Sequence, residues 1–132
     1  MVDAIQKAEK NTSGEVRVFV ESKCKYVDPV DRAKEIFFNL KMANTKDRNA
    51  VLLYLALDDR QLALFADEGI YQRLGAEYWH QEVEKIISAF TKDDYTGGIC
   101  LCVEDIGEAL KQQFPYELAD KNELPDTIIF GN

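Results

Sequence analysis

The residues with the clearest capacity for chemistry are two acidic pairs, Asp58-Asp59 and Asp93-Asp94, each set in a turn-like stretch. The first continues into Arg60-Gln61 and the second into Tyr95-Thr96-Gly97-Gly98. Carboxylates brought together repel one another unless a cation intervenes. A hard divalent ion, Ca²⁺ or Mg²⁺, suits ligands that are oxygen only. The plainer reading is that Asp favours turns and helix starts for local reasons. On that reading Asp94 or Thr96 simply caps the last helix. Which reading holds depends on whether the fold brings the two pairs to one place.

Other chemistries find little support. Cys24, Cys100 and Cys102 are odd in number, so they cannot form a closed set of internal disulfides, and the count suits a reducing compartment. On a helix Cys100 and Cys102 point about 200° apart, and only His80 could join them, so no zinc site is expected. His80, with Glu77 and Glu84 within a turn, reads as a surface residue paired to a glutamate. No Ser or Cys lies in a nucleophile elbow, and no phosphate-binding glycine loop occurs. With 24 acidic residues against 16 basic ones the chain carries a charge of −8, which disfavours nucleic acid and favours metal ions or a basic protein surface. No segment has the roughly 18 to 20 apolar residues that span a bilayer. Met1–Lys7 is polar and amphipathic and unlike a signal peptide, so the expectation is a soluble cytoplasmic chain without direct membrane insertion.

The elements that position these groups can be read from pattern. A first helix over residues 1–10 precedes the break Thr12-Ser13-Gly14. Glu15 to Glu21 reads as a strand from its Val and Phe content. Asp28-Pro29 starts a helix as N-cap and first residue, with Val30, Ala33, Phe37 and Leu40 on one face and Ile36 beside them. The unbroken apolar run Ala50 to Leu57 fits a strand covered on both sides. The turn Asp58–Gln61 returns the chain into a second, antiparallel strand, Leu62–Ala66. A helix from near Ile70 carries Trp79, Val83, Ile86, Ile87 and Phe90. After the Asp93–Gly98 turn a last helix carries Ile99, Cys102, Val103, Ile106, Leu110 and Phe114, and Pro115 stops it. Ile128-Ile129-Phe130 can dock or pair at a sheet edge.

Residues 1–132 read as one domain. The first two strands and the helix between them form a βαβ unit, so those strands are parallel and the third opposes them. Helices on both faces give a three-layer α/β/α sandwich with a mixed sheet. One pole then gathers Glu21, Asp28, Asp58, Asp59, Arg60 and the Asp93-Asp94 loop, beyond the strands' carboxyl ends where such sheets bind ligands. The other gathers Thr12–Glu15, Thr45–Asn49 and Asp67–Gly69. There Arg48 pairs with Glu15 or Asp67, with a second ion site as the sharper alternative.

Thr12-Ser13-Gly14-Glu15-Val16-Arg17-Val18, Arg48-Asn49-Ala50-Val51-Leu52-Leu53-Tyr54-Leu55-Ala56, Asp58-Asp59-Arg60, Asp67-Glu68-Gly69-Ile70 and Tyr95-Thr96-Gly97-Gly98-Ile99 occur in an order that resembles the TPM domain family, over nearly the whole chain. The ending Asn122–Asp126 is similar to its short bacterial members. The resemblance implies a Rossmann-like domain without the dinucleotide fingerprint. Members include thylakoid-lumen proteins tied to photosystem II repair and membrane-anchored bacterial proteins; divalent-cation binding and, in a plant member, acid phosphatase activity are associated with the fold. Carried over, the cation site falls on Asp58, Asp59, Asp93 and Asp94. Three functions are then open. The first is a Ca²⁺- or Mg²⁺-binding module with an interaction or regulatory role. The second is a metal-dependent phosphomonoesterase, with Arg60 steadying developing charge. The third is a metal-independent domain whose acidic pole meets a basic protein.

Overall fold

The computed structural model describes residues 12–115 and the backbone of 128–130. The helix expected over residues 1–10 lies outside the described residues. The element order is β1 (Glu15–Glu21), α1 (Pro29–Asn39), β2 (Ala50–Ala56), β3 (Gln61–Ala66), α2 (Glu68–Leu74), α3 (Ala76–Thr91), α4 (Tyr95–Gln113) and β4 (Ile128–Phe130). The strands form one sheet in the order β3-β2-β1-β4.

The fold is mixed α/β. β1 and β2 are parallel, Glu15 facing Ala50 and Glu21 facing Ala56, as their crossover through α1 requires. β3 runs antiparallel to β2 from Ala56–Gln61 to Val51–Ala66. β4 joins the free edge of β1 in parallel, pairing Val18 with Ile128 and Val20 with Phe130.

Side-chain alternation sorts the core into two clusters. Val16, Val18, Val20, Val51, Leu53 and Leu55 face α2, α3 and α4, meeting Ile70, Trp79, Ile86, Ile106 and Leu110. Phe19, Leu52, Tyr54 and Ala63 face α1, meeting Ala33, Ile36 and Phe37. β1 and β2 are buried along their whole length, which is why alternation is missing from their sequences.

Four boundaries differ from the pattern reading. The single helix expected from near Ile70 is two, because Gly75 at φ 83° ends α2 and begins α3. The last helix starts at Tyr95, so Gly97 and Gly98 lie inside it rather than before it. A Cβ on Gly98 would sit 2.7 Å from the Ala89 Cβ, so the small residue sets how closely α3 and α4 pack. Gln61 belongs to β3, and Leu57 lies in the turn, exposed.

Candidate functional site

The carboxyl ends of β1 and β2 are tied together before any ligand is considered. Leu57 N–H donates to the Glu21 carbonyl at 3.0 Å and Asp58 N–H to the Ser22 carbonyl at 2.8 Å. The turn Leu57–Arg60 closes through Arg60 N–H to the Leu57 carbonyl at 3.2 Å, with Arg60 left-handed at φ 52°. Across from it α3 ends and α4 begins. Asp93 at φ 59° is the left-handed residue of a Schellman motif, its N–H bonding the Phe90 carbonyl at 3.0 Å and that of Asp94 the Ala89 carbonyl at 3.0 Å. Asp94 then caps α4, one carboxylate oxygen accepting Gly97 N–H at 3.1 Å.

These two turns frame one cleft of about 170 Å³, lined by Leu57, Arg60 and Gln61 on one side and Ile87, Phe90, Thr91 and Tyr95 on the other, with Ala56 and Leu62. Its walls are mostly apolar, with Arg60, Gln61 and Thr91 as the polar members. Leu57, Ile87 and Tyr95 are 44%, 48% and 37% exposed, and the Phe90 and Tyr95 rings lie 4.7 Å apart. Gln61 Oε1, also in the lining, is buried with no hydrogen-bond partner among the described residues.

The structure brings residues of both turns, Leu57 and Arg60 with Thr91 and Tyr95, to one cleft. It does not bring the carboxylates to one point. Among the described residues no three His, Cys, Asp or Glu gather into a group that could hold a metal ion. Asp59 gives one oxygen to the Cys24 N–H at 2.7 Å, and Asp94 gives one to α4. Asp58 and Asp93 are exposed, and none of the four aspartates is in the cleft lining. As they stand, the four do not fit a bound Ca²⁺ or Mg²⁺.

The remaining acids of this pole have structural duties. Asp28 caps α1, accepting Val30 N–H at 2.9 Å. Glu21, its side chain 4% exposed, accepts two bonds from Arg32 at 2.9 and 3.1 Å and one from the Tyr54 hydroxyl. Burial pushes the Glu21 carboxyl up, but the Arg32 and Tyr54 bonds outweigh it and hold it below the ordinary range. Burial and the Glu21 charge in turn raise the Tyr54 hydroxyl far above its usual value. Arg32 also reaches Glu35, which Tyr26 engages, so this network fixes the loop between β1 and α1.

At the opposite pole Arg48 pairs with Asp67 rather than Glu15, through bonds of 2.6 and 2.8 Å, and reaches Glu68 at 3.2 Å. Asp67 also caps α2 at Glu68 N–H, 2.8 Å. Asn49 donates to Ser13 at 3.1 Å and Ser13 to Asp47 at 3.3 Å, which closes that pole around strand ends. His80 sits 3.2 Å from Glu84, as its spacing suggested. Cys102 is buried and Cys100 half-buried, and the three cysteines are free.

Sequence reasoning missed Glu82. It occupies a buried place on α3, whereas Ile87, assigned to the core, is exposed. The signal was present: Glu82 follows Trp79 by three and precedes Ile86 by four, which puts a charge on the apolar stripe.

With this geometry in place, comparison with known proteins decides the family: the model for the TPM domain matches residues 1–109. The chain belongs to the TPM domain family. This TPM domain is similar to the BA42 protein of the psychrophilic bacterium Bizionia argentinensis, solved by NMR. The two are 41% identical, the match covers 98% of this chain and 89% of that one, and the TM-score is 0.89. It shares its fold with the N-terminal domain of the cg2496 protein of Corynebacterium glutamicum at 13% identity, 96% and 73% coverage and a TM-score of 0.64. No curated protein matches the chain. Among the described residues of the TPM domain no helix is long and apolar enough to cross a membrane.

Proposed function

We propose that this TPM domain is a protein-interaction module whose working surface is the cleft between the β2–β3 turn and the α3–α4 turn, and that it receives a basic segment bearing an apolar anchor. The observation that carries this reading is that both acidic turns border the same exposed apolar cleft. An apolar wall exposed on a small domain favours a partner that covers it. Arg60 is the charged residue of the lining itself, but Asp58, Asp59, Asp93 and Asp94, carried by the same two turns, outnumber Arg60 and Lys92 and favour a partner of positive charge. The reading takes the fold as the three-layer Rossmann-like arrangement implied by the resemblance, in which ligands meet the strands' carboxyl ends.

A second reading keeps Asp58, Asp59, Asp93 and Asp94 as ligands of Ca²⁺ or Mg²⁺. It is favoured by the carboxylate oxygens that the turn hydrogen bonds leave unused on both sides of the cleft, and it requires the two turns to close on the ion. No catalytic step is derived through such an ion. Amide chemical-shift titration separates the readings. A short synthetic peptide alternating Lys with Leu or Phe shifts Leu57–Leu62 and Ile87–Tyr95 in the presence of a chelator on the first reading. On the second, those amides stay still until CaCl₂ or MgCl₂ is added.

A further inference from the structure

We infer that the occupant of the cleft is a second copy of this chain, whose loop of residues 23–27 supplies both the basic segment and the apolar anchor; this rests on the cleft being a protein-interaction surface. The loop joins β1 to α1 and reads Lys-Cys-Lys-Tyr-Val, two cations with no acid. Lys23 and Lys25 are exposed, and Val27 is 99% exposed, so its own chain does not cover it among the described residues. The loop is nevertheless held in place. Cys24 N–H donates to Asp59 at 2.7 Å, the Tyr26 hydroxyl donates to Glu35, and Asp28 accepts Val30 N–H at 2.9 Å where α1 begins. An apolar side chain carried on a segment already fixed has little freedom to lose on docking, which suits it as an anchor.

Loop and cleft flank the same β2–β3 turn. The loop leads into α1 on one side of the sheet, and the cleft opens between the turn and α3 on the other, where Leu62 and Phe90 pack on the core beneath α3 and α4. A two-fold axis beyond that turn, running across the strands, carries each loop onto the other copy's cleft. Such a contact is isologous, so it closes at two copies and does not grow into a filament. The charges match as well. Each cleft is framed by turns that carry Asp58, Asp59, Asp93 and Asp94 against Arg60 and Lys92, and each loop brings Lys23 and Lys25. Asp28 follows the loop, but its carboxylate is taken up by the start of α1. Val27 then meets Leu57, Ile87 and Tyr95, the exposed apolar members of the lining. One short loop per copy buries little area, so the dimer is weak, with a dissociation constant on the order of 1 mM.

The experiment is a dilution series of the ¹⁵N-labelled chain from about 2 mM to about 0.05 mM with EDTA present, following amide shifts and the rotational correlation time. The expected result is that amides of residues 23–27, 57–62 and 87–95 move together as the protein is concentrated, while the correlation time rises toward that of a dimer. Val27→Asp changes a side chain that lies wholly in solvent and leaves the cleft as it is. It keeps peptide binding but weakens self-association at least about tenfold. Lys25→Glu also weakens self-association and reduces its dependence on salt. At about 0.05 mM the wild type is monomeric, and the Lys/Leu peptide titrated there reads the cleft alone. If the peptide moves the cleft amides there but concentration moves none, the second copy is ruled out and the cleft remains an interaction surface. If neither moves them, both readings fall. Concentration-dependent shifts that leave out residues 23–27, or that persist unchanged in Val27→Asp, also overturn the inference.

Discussion

Asp59 accepts the backbone N–H of Cys24 at 2.7 Å, across 35 positions of sequence. That bond pins the β2–β3 turn to the loop leaving β1, so one member of the acidic rim helps to build the rim. Asp59→Ala therefore costs about 1 kcal/mol, read as a lower urea midpoint with faster exchange of the Cys24 amide. Asp59→Asn keeps an acceptor oxygen and most of that stability, and so isolates the charge for binding experiments.

Asp93 occupies the left-handed end of α3 without a glycine. Asp93→Gly relieves that conformation and stabilises the domain by about 0.5–1 kcal/mol while removing one rim charge. Thermal unfolding should show a higher midpoint, and peptide affinity should fall more steeply with added salt in wild type than in the variant.

The Glu21–Arg32 pair sets the acid limit of the fold. A carboxyl held below its ordinary range contributes stability that is present above that range and is lost as pH falls through the depressed value. Arg32→Met leaves Glu21 buried with Tyr54 alone, costing about 2 kcal/mol at neutral pH. Acid unfolding followed by circular dichroism should begin at a higher pH in the variant than in wild type.

At the far pole, Asp67→Ala strands Arg48 and uncaps α2 together. Arg48 is partly solvated, which limits the loss to about 2 kcal/mol. Asp67→Asn keeps the cap and loses less. Peptide binding at the cleft, on the other side of the sheet's length, should be unchanged in both once the protein is folded.

Much of the frame was legible because local chemistry and packing agree. Asp28-Pro29 announced α1, the unbroken run from Ala50 announced a covered strand, and Ile128–Phe130 found the edge of β1. The misses have physical causes. Gly97-Gly98 resembled a breaker, yet the Asp94 cap starts α4 early and close packing against Ala89 uses the missing side chain. The stripe on α3 contained Glu82, whose burial depends on Lys85 and on Asp105 from another helix, a relation no local pattern displays. The meeting of the two acidic turns followed from topology. That their carboxylates stay apart did not, because Asp59 and Asp94 are drawn to backbone N–H groups nearby.

The central claim is tested most directly by amide-shift mapping of the Lys/Leu peptide with EDTA present, comparing wild type with Leu57→Ser. The account predicts perturbations confined to Leu57–Leu62 and Ile87–Tyr95, and affinity at least about tenfold weaker in Leu57→Ser, since an exposed leucine at the cleft mouth is an anchor contact. Perturbations that fall elsewhere, or that appear at these turns only after Ca²⁺ is restored, would contradict it.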